Sequence, residues 1–223
     1  DDIRIYNRAL SANEITALYD LEKPDYTKTL KEGLVAYYPF NGNAKDESGN
    51  GNDGQVNGAT LATDRNGAER RAYRFDGDDY INLGNKPQFN FKSGDFSIST
   101  WIRSPSYKGH QYLVGKYGGS NPGYGIGIKT YPAPRFYAFI RDDIGGGWVD
   151  AKSEAKLDQQ NWQHVVATYD RTGSLVIYID GAASGAVGIE KESGSIDDKN
   201  QNLTIGLTSG FYFKGSIDDV RIY

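Results

Sequence analysis

The stretch Asn41–Gly54 crowds Asn41, Asn43, Asp46, Ser48, Asn50, Asn52 and Asp53 into one short segment. These are amide, hydroxyl and carboxylate oxygens. A hard cation such as Ca²⁺ takes roughly six to eight oxygens of this kind. Glycines at 42, 49, 51 and 54 let the backbone turn its carbonyls toward one point. The spacing is not that of an EF-hand, because the Asp-x-Asp-x-Asn-Gly run with its terminal Glu is missing. The same residues equally describe an Asn/Gly turn that satisfies its own amides. Asp46, Ser48, Asn50 and Asn52 are the candidate metal ligands in this loop.

A second group is aromatic. Tyr107, Tyr112, Tyr117, Tyr124, Tyr131, Tyr137, Trp148, Phe211, Tyr212 and Phe213 cluster in the middle and late chain. Flat rings suit the apolar faces of sugars, and neighbouring Asp, Asn and Arg can bond hydroxyls. Half of every strand faces inward, so many of these rings must be core. Trp101 and Trp162 read as core. Trp148 follows Gly145–Gly147 and is the ring expected in solvent, with Tyr131, near Pro132 and Pro134, next. Arg141 and Asp142 are candidate polar contacts, although a solvated hairpin tip explains them as well. Trp148, Tyr131, Arg141, Asp142 and Tyr212 make up the candidate ligand face.

Other chemistries are poorly supplied. The chain has 2 His and no Cys, so neither a zinc site nor a Cys-His pair can be assembled. His164 lies in a strand between Trp162 and Val166 and reads as a hydrogen-bonded core residue; His110 sits in a polar loop.

The elements that must position these groups are mostly strands. One helix is expected: Ser11 caps it, Glu14 completes a capping box, and Leu10 with Ile15 forms a hydrophobic staple. Ile15, Leu18 and Tyr19 give it one apolar stripe, and it should end near Asp20. Strands are expected at Gly33–Phe40, Tyr73–Phe75, Tyr80–Leu83, Phe96–Arg103, Gln111–Tyr117, Tyr124–Ile128, Arg135–Arg141, Trp162–Tyr169, Ser174–Ile179, Leu203–Gly206 and Gly215–Tyr223. Asp180-Gly181 marks a tight hairpin turn. Short strands at this spacing argue for an all-β fold of two packed antiparallel sheets.

The chain opens Asp1-Asp2-Ile3-Arg4-Ile5-Tyr6 and closes Asp218-Asp219-Val220-Arg221-Ile222-Tyr223. The match reads as a repeat with a period of nearly the whole chain. Residues 1–20 are then the last strand and helix of a preceding module, 21–32 a linker, and 33–223 the next module. The N-terminal hexamer is expected to complete a neighbouring sheet, because an unpaired edge strand invites aggregation. The absence of Met fits a piece of a longer secreted or cell-surface chain. A net charge of −4 and pI near 5.3 argue against nucleic acid or an anionic membrane as partner. No segment is long and apolar enough to insert in a bilayer.

Several segments together resemble the LamG-like jelly-roll family, the bacterial laminin G-like branch of the concanavalin A-like lectin/glucanase sandwiches. They are Gly33–Phe40, Asp46–Asn50, Phe75-Asp76-Gly77 with Asp79-Tyr80-Ile81, Phe96–Trp101, Asn161–Asp170, Tyr178–Gly181 and Gly215–Tyr223. The resemblance implies a two-sheet jelly-roll sandwich. It also implies a structural Ca²⁺ between the Asp46 loop and a carboxylate of the final strand. Strict alternation sets Asp218 with Val220 and Ile222, an apolar face where a carboxylate needs a partner. Asp218 is therefore the first choice and Asp219 the second, with an ion pair to Arg221 or Arg74 as the alternative. Enzymes of this sandwich class usually carry a Glu-x-Asp-x-x-Glu strand, which is absent here, so no catalytic residue is assigned. The expected function is a non-catalytic extracellular module that binds a glycan or other surface ligand. The alternatives are a repeating unit of a surface fibre, sheath or layer, bound to neighbouring copies of itself, and an accessory module of a secreted carbohydrate-active enzyme.

Overall fold

The computed structural model describes residues 5, 6, 8–22, 29–105, 107, 109–119, 121–130, 133–144 and 147–223, with the backbone alone at 18–22. It divides into two units, Asp1–Gly33 and Leu34–Tyr223.

The first unit holds helix α1, Ala12–Glu22. Its start is the expected capping box. The Glu14 amide donates to Ser11 Oγ at 3.3 Å, and the Ser11 amide donates to Glu14 Oε2 at 2.8 Å. Arg8 pairs with Glu14 at 2.8 Å. That bond, with the Ser11 donors behind it, holds the Glu14 carboxyl down at about 2. Ile15 of the expected stripe is 57% exposed, and the side chains of Leu18 and Tyr19 lie outside the described residues. So do residues 1–4 of the opening hexamer. A short 3₁₀ turn covers Thr29–Lys31.

The second unit is an all-β jelly-roll sandwich. In chain order its strands are β1 (Ala36–Tyr38), β2 (Gln55–Asn57), β3 (Thr60–Ala62), β4 (Ala72–Asp76), β5 (Tyr80–Gly84) and β6 (Phe96–Arg103). Then come β7 (Gln111–Lys116), β8 (Gly123–Lys129), β9 (Arg135–Arg141), β10 (Val149–Lys156), β11 (Gln163–Tyr169) and β12 (Ser174–Ile179). The last five are β13 (Ala182–Gly188), β14 (Leu203–Ile205), β15 (Leu207–Thr208), β16 (Phe211–Tyr212) and β17 (Lys214–Ile222). The first sheet runs β13-β12-β11-β6-β17-β4-β3, with β1 also paired to β17. The second runs β10-β9-β8-β7-β14-β5-β2, and β15-β16 forms a separate small hairpin. Every pairing is antiparallel, so each strand alternates one core-facing and one outward-facing side chain.

β6 shows that rule plainly: Phe96, Ile98, Thr100 and Ile102 are buried, and the residues between them are not. Trp101 is thereby excluded from the core. It lies on the outward face, stacked on His164 at 4.9 Å, with the Arg65 guanidinium 5.0 Å from its ring. His164 is on the same outward face and bonds Ser99 Oγ at 2.8 Å. Burial lowers its pKa.

Between the sheets, Phe96 stacks on Tyr169 at 4.0 Å and 11°. The buried tyrosine hydroxyls find carbonyls: Tyr169 donates to Gly125 O at 2.8 Å, Tyr124 to Phe89 O at 2.9 Å and Tyr38 to Asn52 O at 2.6 Å. The β12–β13 turn carries Asp180 at φ 52° and Gly181 at φ 83°, the left-handed pair that a two-residue hairpin requires.

β17 departs from strict alternation. Asp219 has φ 49°, and the register with β6 shifts between Asp218 and Arg221. This bulge lets Ile217 and Val220 both face the core. Asp218 consequently lies opposite Trp101 on the outward face. The expectation that Asp218 shares the apolar face of Val220 and Ile222 is corrected by that extra residue.

Candidate ligand-binding site

The outward face of the second sheet combines a bare strand with flanking rings. β8 places Tyr124, Ile126 and Ile128 in the core and leaves Gly123, Gly125 and Gly127 outward. In register, Tyr112 on β7 and Tyr137 on β9 flank Gly127, while Gly115 and Phe139 flank Gly125. The rings lie across the space the glycines leave. A Cβ at Gly127 would meet Tyr137 at 2.6 Å, and one at Gly125 would meet Phe139 at 2.9 Å. Side chains on β8 would therefore displace the aromatic layer.

Trp148 caps that layer. Its ring is parallel to Phe139 at 4.2 Å and 8°, and edge-on to Tyr117 at 5.3 Å. Tyr112, Tyr117, Tyr137 and Phe139 are buried beneath, whereas Trp148 keeps partial exposure. Lys129 Nζ sits 4.2 Å from the Tyr137 ring centre and 5.3 Å from that of Trp148, and it pairs with Asp150. On the other flank Phe211, 45% exposed, packs on His110 at 5.0 Å. Burial lowers the His110 pKa, and its Nε2 bonds the Tyr137 hydroxyl. Burial also pushes the Tyr112 hydroxyl up to about 12.

Tyr117 is also a wall of a neighbouring pocket of about 320 Å³. The floor is Tyr80 and Asn82 of β5 with Thr204 of β14, outward residues between core-facing Ile81, Leu83, Leu203 and Ile205. Asn200–Asn202 and the β15–β16 turn close the sides. Thr208 fits over Gly115 because that glycine has no side chain; a Cβ there would lie 2.9 Å from Thr208 Oγ1. Exposed aromatic carbon next to amides and hydroxyls is the surface a sugar ring requires, and the pocket is within the usual ligand-pocket range of roughly 300–1,000 Å³.

Of the residues expected on a ligand face, Trp148 is in this layer. Arg141 continues the Tyr137–Phe139 row on β9 and is half-buried. Tyr212 is half-buried on β16. Asp142 is buried, and its carboxylate accepts the Gly194 amide at 2.8 Å, which ties the end of β9 to the 194–195 turn. Tyr131 lies outside the described residues. Asn82, Asn200, Gln201 and Thr204 were not singled out from sequence, because polar residues near short strands read as solvated turns.

The candidate metal residues fall in two places. Burial would raise the Asp46 carboxyl, but amide donors from Tyr37, Ser48 and Asn52 at 2.8–2.9 Å outweigh it and hold the group below its ordinary value. Asn50 Nδ2 and Asn52 Nδ2 donate to Val35 O at 3.0 and 2.9 Å, and Ser48 Oγ bonds the same carbonyl at 3.3 Å. Asn52 Oδ1 is buried with no donor. On β17, Arg65 pairs with both Asp218 and Asp219, and Arg221 pairs with Asp219 at 2.9 Å. The partner of the aspartate pair is therefore Arg65, together with the expected Arg221, and not Arg74. Among the described residues one trio of carboxylates, Asp76, Asp78 and Asp79, comes close enough together to hold a metal ion.

A family model described as the concanavalin A-like lectin/glucanases superfamily matches residues 75–223. No curated protein matches the sequence. Among solved structures, the binding domain of Paraclostridial Mosquitocidal Protein 1 is similar at 22% identity and a TM-score of 0.71, over 87% of this chain and 49% of that one. Domain 4 of AbnA, a GH43 extracellular arabinanase from Geobacillus stearothermophilus solved with arabinotriose, is 21% identical at a TM-score of 0.65, over 85% and 91% of the two chains. The botulinum neurotoxin serotype D ligand-binding domain solved with N-acetylneuraminic acid is 16% identical at 0.63, over 86% and 48%. The chain spans about half the length of both toxin domains. At these identities the likeness is one of fold.

Proposed function

From the chain's membership of the concanavalin A-like lectin/glucanases superfamily, we propose that it is a non-catalytic glycan-binding module of a secreted or cell-surface protein. Its sugar face is the outward side of the second sheet. The observation that carries this reading is the partly exposed Trp148 ring, stacked on Phe139 and adjoining through Tyr117 the amide- and hydroxyl-lined pocket. An aromatic plate beside hydrogen-bonding groups takes the apolar face and the hydroxyls of a neutral saccharide together. The arabinotriose complex of a similar fold supports a neutral saccharide, and the N-acetylneuraminic acid complex of another supports saccharide binding more generally. The test is binding to a panel of arabinans, other plant polysaccharides and sialylated glycans, with reducing-end release assayed alongside. Binding without release supports the reading; release of new reducing ends contradicts it.

A structural Ca²⁺ in the Asp46 loop belongs to the same reading. The residues fit a hard cation: Asp46 supplies a carboxylate, and Asn52 Oδ1 is a buried oxygen without a donor among the described residues. The bound ion would fix the loop beside β1. Asp218 and Asp219 are left out of this site because the Arg65 guanidinium already supplies their counter-charge.

The matching hexamers at positions 1–6 and 218–223 favour a second reading, in which modules of this kind follow one another and associate in a surface assembly. Electron microscopy of the native material distinguishes isolated modules from a regular fibre or layer.

A further inference from the structure

The outward face of the first sheet carries a different cleft, of about 360 Å³, lined by Arg74, Arg103, Lys214, Ser216, Thr63 and Pro105 among others. Among the described residues no acidic side chain lines it. Strand register sets the cations in place. Ser216 of β17 lies opposite Arg74 on β4 and opposite Arg103 on β6. Adjacent strands are about 4.8 Å apart, so the two arginines rise roughly 10 Å apart on either side of one hydroxyl. Lys214 is two residues along β17, on the same face.

The two guanidinium charges are not answered within the described residues; the Lys214 charge acts on the Asp76 carboxylate, which a hydrogen bond with Asp78 and then Lys214 hold below its ordinary value. None of the three side chains has a hydrogen bond or ion pair there. Asp76 is opposite Lys214 in register but outside the cleft lining. Asp218, the next outward residue of β17, is clamped by Arg65. Cations gathered on neighbouring strands repel one another. In a chain of net charge −4, composition alone does not assemble an acid-free cationic cleft.

We propose that this cleft is a second binding site, separate from the Trp148 face, and that it takes a sulfate- or phosphate-type oxyanion carried on a sugar. Two guanidinium forks can each grip two oxygens of a tetrahedral anion, with Lys214 as a third charge and the Ser216 hydroxyl as a neutral donor. The cleft is far larger than the anion alone, which leaves room for the sugar that bears it. The module would then hold neutral saccharide on one sheet and an acidic glycan on the other.

The test is calorimetry on the whole chain at roughly 0.15 M salt, where long-range attraction between exposed charges is screened. The probes are a dextran sulfate oligosaccharide, unsulfated dextran, inorganic sulfate and a short DNA duplex. The proposal requires the dextran sulfate to bind more tightly than dextran, since any binding of the glucan chain at the Trp148 face is common to both. Arg74→Gln and Arg103→Gln should each weaken it about tenfold, with the melting temperature and any binding at the Trp148 face unchanged. Dextran sulfate affinity that survives both substitutions overturns the site. Inorganic sulfate that binds as tightly as the sulfated sugar overturns the sugar part. Duplex DNA bound as tightly, and lost in the same variants, overturns the glycan class. These readouts do not depend on whether the Trp148 face binds saccharide.

Discussion

Trp148 lies parallel to Phe139, with ring centroids 4.2 Å apart and planes 8° apart. Phe139 in turn lies over Gly125, the β8 position with no side chain. The exposed ring therefore depends on a glycine beneath it. Gly125→Ala would place a Cβ 2.7 Å from Val114 O and 2.9 Å from Phe139. We expect a cost of about 1–3 kcal/mol from overpacking, read by urea denaturation, and a shift in tryptophan fluorescence as Phe139 moves. A neutral Gly125→Ala variant with an unchanged spectrum contradicts this packing.

The Arg65–Asp218 pair gives a second prediction. The Asp218 side chain is 3% exposed and that of Arg65 24%. Arg65→Ala leaves the carboxylate buried without its main partner. The expected loss is about 3 kcal/mol, the low end for a broken buried pair because Arg65 is partly in solvent. A loss below about 0.5 kcal/mol, typical of surface substitutions, would show the pair to be a surface contact.

Asp218 also sets a pH dependence. Burial outweighs the opposing pull of Arg65 and lifts its pKa from 3.8 to about 6. The folded chain then keeps a proton that the unfolded chain has released. Its contribution to stability falls as pH rises from about 4 to about 6. Melting temperatures of the wild type and Asp218→Asn should converge toward the acid end of that window and separate toward pH 6, with the wild type losing ground. Parallel curves would place the Asp218 pKa near its ordinary value.

Much of this architecture is legible in the sequence. The alternation of Phe96–Arg103 and the Asp180-Gly181 turn give strand and hairpin directly. Two kinds of feature resist such a reading. The bulge at Asp219 has no residue signature, since Asp at positive φ is uncommon, so counting by twos placed Asp218 on the wrong face. The strands β10 and β13 carry no clear strand signal, because Val149–Lys156 is rich in Lys, Ala and Glu, and Ala182–Gly188 in small residues. The proposed ligand face does leave one signal: glycine at every second position, Gly123, Gly125 and Gly127, between aromatic strands.

The calcium reading turns on the loop alone. Chelation with EDTA should lower the melting temperature, and readdition of Ca²⁺ should restore it, because a ligand bound by the native state stabilises by mass action. Asp46→Ala should abolish the response, while Asp219→Asn should retain it. Identical melting curves with and without EDTA would reduce Asn41–Gly54 to a hydrogen-bonded turn.

Trp148 and the pocket beyond Tyr117 together make the proposed sugar face. The direct measurement is calorimetric titration of the best-binding saccharide from the panel into the wild type and Trp148→Ala, with melting curves of both. Trp148→Ala should lose affinity at least about tenfold, as for a central aromatic contact, while the fold stays intact. An affinity unchanged in Trp148→Ala, or a panel in which no saccharide binds the wild type, would contradict it.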